Sequence, residues 1–195
     1  LMKLLCIACE VLARPLYLCA AHSPHIVNIE LVQKGLHNKP ADLRQHLQDR
    51  VTSADGQGYD AVVLGYGLCG QAVAGLAAGA LPLVIPRAHD CITLFLGARE
   101  RYQEEHGRVA TYWYVADQLE RTGDYRAGVG GLAIGSDTDE QIAAVRAEYV
   151  AKYGEDNADY LMEVLGGWRV HYGRAAFVSM GVADEAASET AARDE

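Results

Sequence analysis

Cysteine and histidine recur at the ends of apolar runs in this chain, and that placement first suggests chemistry. Cys69 lies in the turn Gly65-Tyr-Gly-Leu-Cys69-Gly70, after the run 60–64, and His89 and Cys91 lie in Arg87-Ala-His89-Asp90-Cys91, after the run 81–85. Cys9 follows the run 2–8, and His37 lies in the loop after 25–33. An open parallel α/β sheet binds ligands outside the carboxyl ends of its strands. These five thiol and imidazole donors are therefore expected to converge at one edge, with Cys69, His89 and Cys91 as the core set and Cys9 and His37 competing for the rest. Zinc takes such donors in tetrahedral sites, and thiolates disfavour oxygen-preferring Mg²⁺ and Ca²⁺. The expectation is a Cys/His metal site, with zinc as the metal. Asp90 or Glu10 would orient an imidazole, and Arg87 would meet an anionic group of a small-molecule substrate.

Other readings use the same residues. Gly65-x-Gly67-x-x-Gly70 matches the dinucleotide-binding pattern, with Asp90 twenty residues beyond the last glycine. Backbone amides near Gly67 and Gly70 would then cradle the pyrophosphate of NAD or FAD, and Asp90 would hold a ribose hydroxyl. The mid-chain position of the motif weighs against this reading. A nucleophilic Cys69, activated by His89 at a helix N-terminus, would need no metal. The plainest alternative makes the thiols small buried hydrophobes. Cys6-Ile-Ala-Cys9 has CxxC spacing, but on a strand residues three apart face opposite sides, so the two are not expected to ligate together.

Composition narrows the partners. A formal charge of −9 disfavours nucleic acid and anionic membrane, which need clustered Lys and Arg. No apolar run approaches the ~20 residues of a membrane-spanning helix. The opening LMKLLCIACEVLA, followed by Arg14, reads as a buried strand rather than an export signal. Five cysteines, an odd number, point to reduced thiols and a cytoplasmic protein.

The elements that must position these residues alternate, which predicts an α/β fold, a mainly parallel sheet with helices on both faces. Strands are expected near 2–8, 25–33, 60–64, 81–85, 111–115 and 175–180. Helices are expected over 10–22 as far as Pro15 allows, after Pro40 with Leu43, Leu47 and Val51 on one face and Asn38 able to cap, and over 71–80. Another starts at Asp90 and runs to about 105 with a break at Gly97, and two more follow near 138–153 and 157–165. The aromatic stretch Thr111-Tyr-Trp-Tyr-Val115 reads first as a sheet edge and second as a wall for a planar ligand. Glycine-rich 122–137 reads as a loop that could cover a site. One domain over 1–183 is expected, with a sub-lobe boundary near 118–137, and an acidic, alanine-rich tail over 184–195.

Tyr66-Gly-Leu-Cys69-Gly70 and Ile85-Pro-Arg87-Ala-His89-Asp90-Cys91-Ile92 resemble the central motifs of a bacterial and archaeal domain-of-unknown-function family, number sixteen thirty-eight. The resemblance extends from residue 3 to about 180 and takes in Thr111-Tyr-Trp and Tyr153-Gly-Glu-Asp-Asn157. It implies no settled activity. It implies an association with corrinoid-dependent methyl transfer, hence a corrinoid protein as partner, and His89-x-Cys91 resembles part of the zinc site of thiol-activating methyltransferases. It also implies that the family continues past residue 195, so the tail is expected to be a truncated or loosely held helix. The function expected is a zinc-dependent transferase of thiol or methyl metabolism, with a non-enzymatic metal-carrying accessory protein as the alternative.

Overall fold

The computed structural model describes residues 1–106, 109–121, 139–166, 172–182 and 185–194. The fold grows around β1, Lys3–Cys9, whose residues from Leu5 to Cys9 are all buried. A strand buried on both faces needs a partner on each side. β1 has β2, Ile26–Val32, on one side and β3, Ala61–Gly65, on the other, both parallel to it. β4 is only Leu83–Val84 and pairs with β3, giving the order β2-β1-β3-β4. Pro82 and Pro86 bracket β4, which is why the expected strand over 81–85 shrinks to two residues.

Between β1 and β2 run a 3-10 turn, Glu10–Leu12, and helix α1, Ala13–His22. After β2 come a 3-10 turn, Lys34–Asn38, and α2, Pro40–Ser53. The step from β1 to β2 moves one way along the sheet, and the step from β2 to β3 moves back across β1. Right-handed crossovers therefore put α1 and α2 on opposite faces. α2 buries Leu43, Leu47 and Val51 as its periodicity predicts, and Pro40 opens it. Its N-cap is Lys39, not Asn38.

The helix expected over 71–80 does not form. Gln71 and Gly75 adopt left-handed φ values of 68° and 86°, which an α-helix excludes. Side chains of α2 and of Asp55 just beyond it supply the missing hydrogen bonds. The Arg44 guanidinium donates to the carbonyls of Gln71 (2.8 Å) and Ala72 (3.3 Å), Gln48 brackets Ala77 (2.9 and 3.1 Å), and Asp55 accepts from the Ala80 amide (3.1 Å). This satisfies an irregular backbone that would otherwise compete for water.

Beyond β4, Asp90 caps α3, Cys91–Leu96, which ends at Gly97 with φ 75°, and α4 follows over Arg99–His106. β5, Thr111–Tyr114, leads into α5, Ala116–Arg121. α6, Asp139–Tyr153, breaks at Gly154 before α7, Glu155–Gly166. β6, Arg174–Phe177, pairs in parallel with β5, and α8 spans Ala186–Asp194. The expected lid over 122–137 and most of the expected lobe boundary lie outside the described residues. The tail, expected as a truncated or loosely held helix, forms α8, which packs on the second half of the chain. Ser188 and Ala192 are buried, and Ala192 packs with Tyr112, Tyr114 and Leu119. Small residues, lacking the bulk that the sequence reading sought, let the helix approach closely.

One carboxylate ties this second half to the first. Asp117, 4% exposed, accepts from the Arg14 amide (3.1 Å), the Arg14 guanidinium (3.1 Å) and Arg121 Nε (3.1 Å), while Arg14 also pairs with Glu120. Asp117→Ala is expected to lower unfolding free energy in urea by about 2 kcal/mol. That lies below the ~3–5 kcal/mol of a fully buried pair, because the two arginines remain 35% and 33% exposed.

Candidate functional site

A cavity of about 340 Å³ opens where the carboxyl ends of β1 and β3 meet. Strand order reverses there, since β1 connects to β2 on one side while β3 leads to β4 on the other, which is where open α/β sheets leave a crevice. Cys9 closes β1, Tyr66 and Gly67 follow β3, and Lys34 lies two residues beyond β2; all four line the cavity.

Two loops complete the rim because their backbones can touch. A Cβ added to Gly67 would lie 2.5 Å from the Asp90 nitrogen and 2.6 Å from its Cα, so only glycine permits the approach. The Leu68 amide then donates to the Ala88 carbonyl (2.9 Å) and the Cys69 amide to the His89 carbonyl (3.1 Å). Asp90 Oδ1 accepts from the Thr93 amide (2.9 Å) and hydroxyl (3.0 Å), starting α3 immediately after the junction. Cys69 and Cys91 are thereby carried to the same cavity as Cys9.

The sequence-derived site is therefore brought together in part. Cys9, Cys69, Cys91 and Asp90 line one cavity. His89 is exposed and contributes its carbonyl to the loop junction; neither it nor exposed Arg87 lines the cavity. His37 sits in the turn Lys34–Asn38, and its side chain lies outside those the structure describes. Cys6 is buried away from the cavity, so the CxxC pair does not converge. Among the described residues, no three His, Cys, Asp or Glu side chains are arranged as they stand to hold a metal ion. The dinucleotide reading also loses a part, because turns rather than a helix follow Gly70 and the face of Gly67 is filled by the Asp90 backbone.

Burial shapes the electrostatics. It pushes the Cys69 thiol from 9.0 to about 11, helped by the charge of Cys9, and it raises Cys9 and Cys91 as well. The charge of Cys9 also acts on Cys91, so the three thiols form one interacting group. Desolvation raises the Tyr66 hydroxyl and lowers the Lys34 ammonium, the latter opposed by Cys9, Glu10 and Cys91. Lys34 is the lining residue that a reading for metal ligands does not single out. Lys34 is a strand-end residue like Cys9, and that was the available signal. Glu10 Oε1 accepts from the Lys34 amide (2.8 Å) and fixes the turn that carries it. Thr111, Tyr112 and Trp113 line the opposite side with Tyr172, whose ring meets Tyr112 edge-on at 5.3 Å. The stretch 111–114 is thus a paired strand, and three of its residues also line the cavity.

Together the fold and this site define a parallel α/β protein with a thiol-lined crevice at its switch point. The chain belongs to the family described as "Protein of unknown function (DUF1638)", whose model matches residues 31–194. The matched span includes Lys34, Cys69 and Cys91, and Cys9 precedes it. No curated protein and no solved structure matches the chain. No helix among the described residues is long and apolar enough to cross a membrane.

Thiolate is the form that reacts with alkylating agents, and raising Cys69 to about 11 leaves about a hundredfold less of it at pH 8 than an ordinary thiol has. Iodoacetamide at pH 8 is expected to label exposed Cys19 first. Labelling of Cys69 should still be climbing between pH 9 and 10, as followed by peptide mass spectrometry.

Proposed function

We propose that this protein binds a thiophilic metal ion, zinc, through Cys9, Cys69 and Cys91, and acts as an enzyme on a small molecule held in the adjoining cavity. The observation that carries the reading is the arrival of three thiols, from the ends of three separate chain segments, at one cavity. Cys69 and Cys91 pack against the margin of the core and still line the cavity, a position that suits a ligand as well as a filler. Cys69 also holds φ 43°, a left-handed conformation that a side chain adopts at a cost and that clusters at functional sites.

The donor set fits zinc by its chemistry. Without an ion the buried thiols keep their protons, and taking one up requires those protons to leave and the sulfurs to draw in from their present positions. The fourth donor is His37 or the substrate itself, and His89 has no part. When bound, zinc lowers the pKa of a ligated thiol or water and keeps it nucleophilic at neutral pH. Lys34, which interacts with Cys9 and Cys91, offsets the negative charge of the thiolates. The cavity beyond the thiols favours an enzyme of thiol or methyl transfer over a metal carrier, which needs no substrate space. A corrinoid protein as methyl partner is the narrower form of that reading.

Elemental analysis of protein purified without added metal tests the site. About one zinc per chain is expected in the wild type and in His89→Ala, with strong loss in Cys9→Ser, Cys69→Ser and Cys91→Ala. Each thiol that ligates releases a proton, so affinity should rise with pH, up to about tenfold per unit for each such thiol below its pKa. A metal-free wild type, or metal content untouched by all three cysteine changes, would sink the proposal.

A further inference from the structure

We infer that the same cavity recognises a small organic acid, with its carboxylate on Lys34 and Tyr66 and its apolar body along Trp113. This deepens the proposed function by naming a substrate class. It rests on the cavity being the substrate site and does not require the metal.

Three polar atoms carry the inference. Lys34 Nζ, the Tyr66 hydroxyl and Trp113 Nε1 are all buried without a hydrogen-bond partner among the described residues, and all three residues line the cavity. Native proteins seldom leave such groups unpaired, and a cluster of them points to a missing partner. Lysine and indole can only donate, so the missing partner must accept. An ammonium in a desolvated setting further asks for negative charge.

Among the described residues no carboxylate is hydrogen-bonded to Lys34 Nζ, and the charge of Glu10 reaches it only from a distance. Glu10 spends one carboxylate oxygen on the Lys34 amide, and the other lies 3.9 Å from Arg121. Asp90 is committed to capping α3. Among the described residues, Lys34 is the one cation in the lining. A single ammonium with two neutral donors matches a monoanionic carboxylate better than a phosphate, which favours several cations or a nest of amides.

The rest of the cavity fixes the other end of the ligand. The Trp113 ring has Arg174 over it at 5.9 Å, and Tyr112 and Tyr114 meet edge-on at 4.7 Å, so the wall is braced from behind. A volume of about 340 Å³ stands at the lower end of the range for small-molecule sites, enough for an acid carrying one ring or a short branched chain.

Calorimetric titration of the full chain, zinc-free and zinc-loaded, with phenylacetate, neutral phenylacetamide and phenyl phosphate tests this. Phenylacetate is expected to bind at least about tenfold more tightly than the amide, the margin typical of a charge-assisted hydrogen bond. Lys34→Met should abolish that preference while keeping the wild-type circular dichroism, because it removes a desolvated charge. Tyr66→Phe, which preserves packing, should weaken the acid about fivefold, the value of one neutral hydrogen bond. Equal affinity for acid and amide, no binding of either, a preference that survives Lys34→Met, or phenyl phosphate as the tightest ligand would each overturn the inference. Acid selectivity in a protein that takes up no zinc would remove the metal reading and leave this one standing.

Discussion

Backbone meets backbone at Gly67 and Asp90, and the carboxyl edge of the sheet depends on that contact. The space where a side chain would begin is filled by the Asp90 main chain. The turn after β3 and the loop after β4 can therefore exchange hydrogen bonds through Leu68 and Cys69. Asp90 then starts α3, which sends Thr93 and Phe95 into the interior. Cys69 and Cys91 come to one cavity because two loops pack at glycine distance. The same use of Gly67 removes it from service as a phosphate cradle.

Around this junction the molecule divides its demands. β1 and α2 are closely packed and their polar groups satisfied, with Ile7 and Leu47 wholly buried. α2 also holds the irregular segment after Gly70 through Arg44 and Gln48, joined by Asp55 just past its end. The crevice is the opposite case. Desolvation pushes its thiols up and its lysine down, so both kinds of group are driven toward neutral forms. An ion or an anionic ligand would reverse that drive, which is how a binding site differs from a core. The second half of the chain makes the crevice a cavity. β5 supplies its far wall, and Asp117 anchors the following helix to the start of α1.

Much of this was readable from residue order. The alternation of apolar runs with amphipathic segments implied a parallel α/β fold. The stripe Leu43, Leu47, Val51 implied the buried face of α2, and Asp90 and Gly97 marked the start and the break of α3. These features depend on neighbours in sequence or on a fixed period, so a linear reading captures them. The alanine- and glycine-rich stretch after Gly70 and the docked α8 were misread for the same reason as each other. Their conformation is decided by partners distant in sequence, and propensity carries no record of those partners.

For the site, residue order alone determines which residue types stand at strand ends, since an apolar run and its terminating turn are local features. Cys9, Cys69, Cys91 and Asp90 could be named on that basis. Side-chain direction could not, because a shift of one residue along an extended loop sends a side chain to the other side. His89 therefore looks outward from a loop whose neighbours Asp90 and Cys91 line the cavity. Nor could the unpartnered state of Lys34, Tyr66 and Trp113 be foreseen. Whether a donor finds an acceptor depends on everything folded around it, and that is a property of three-dimensional packing alone.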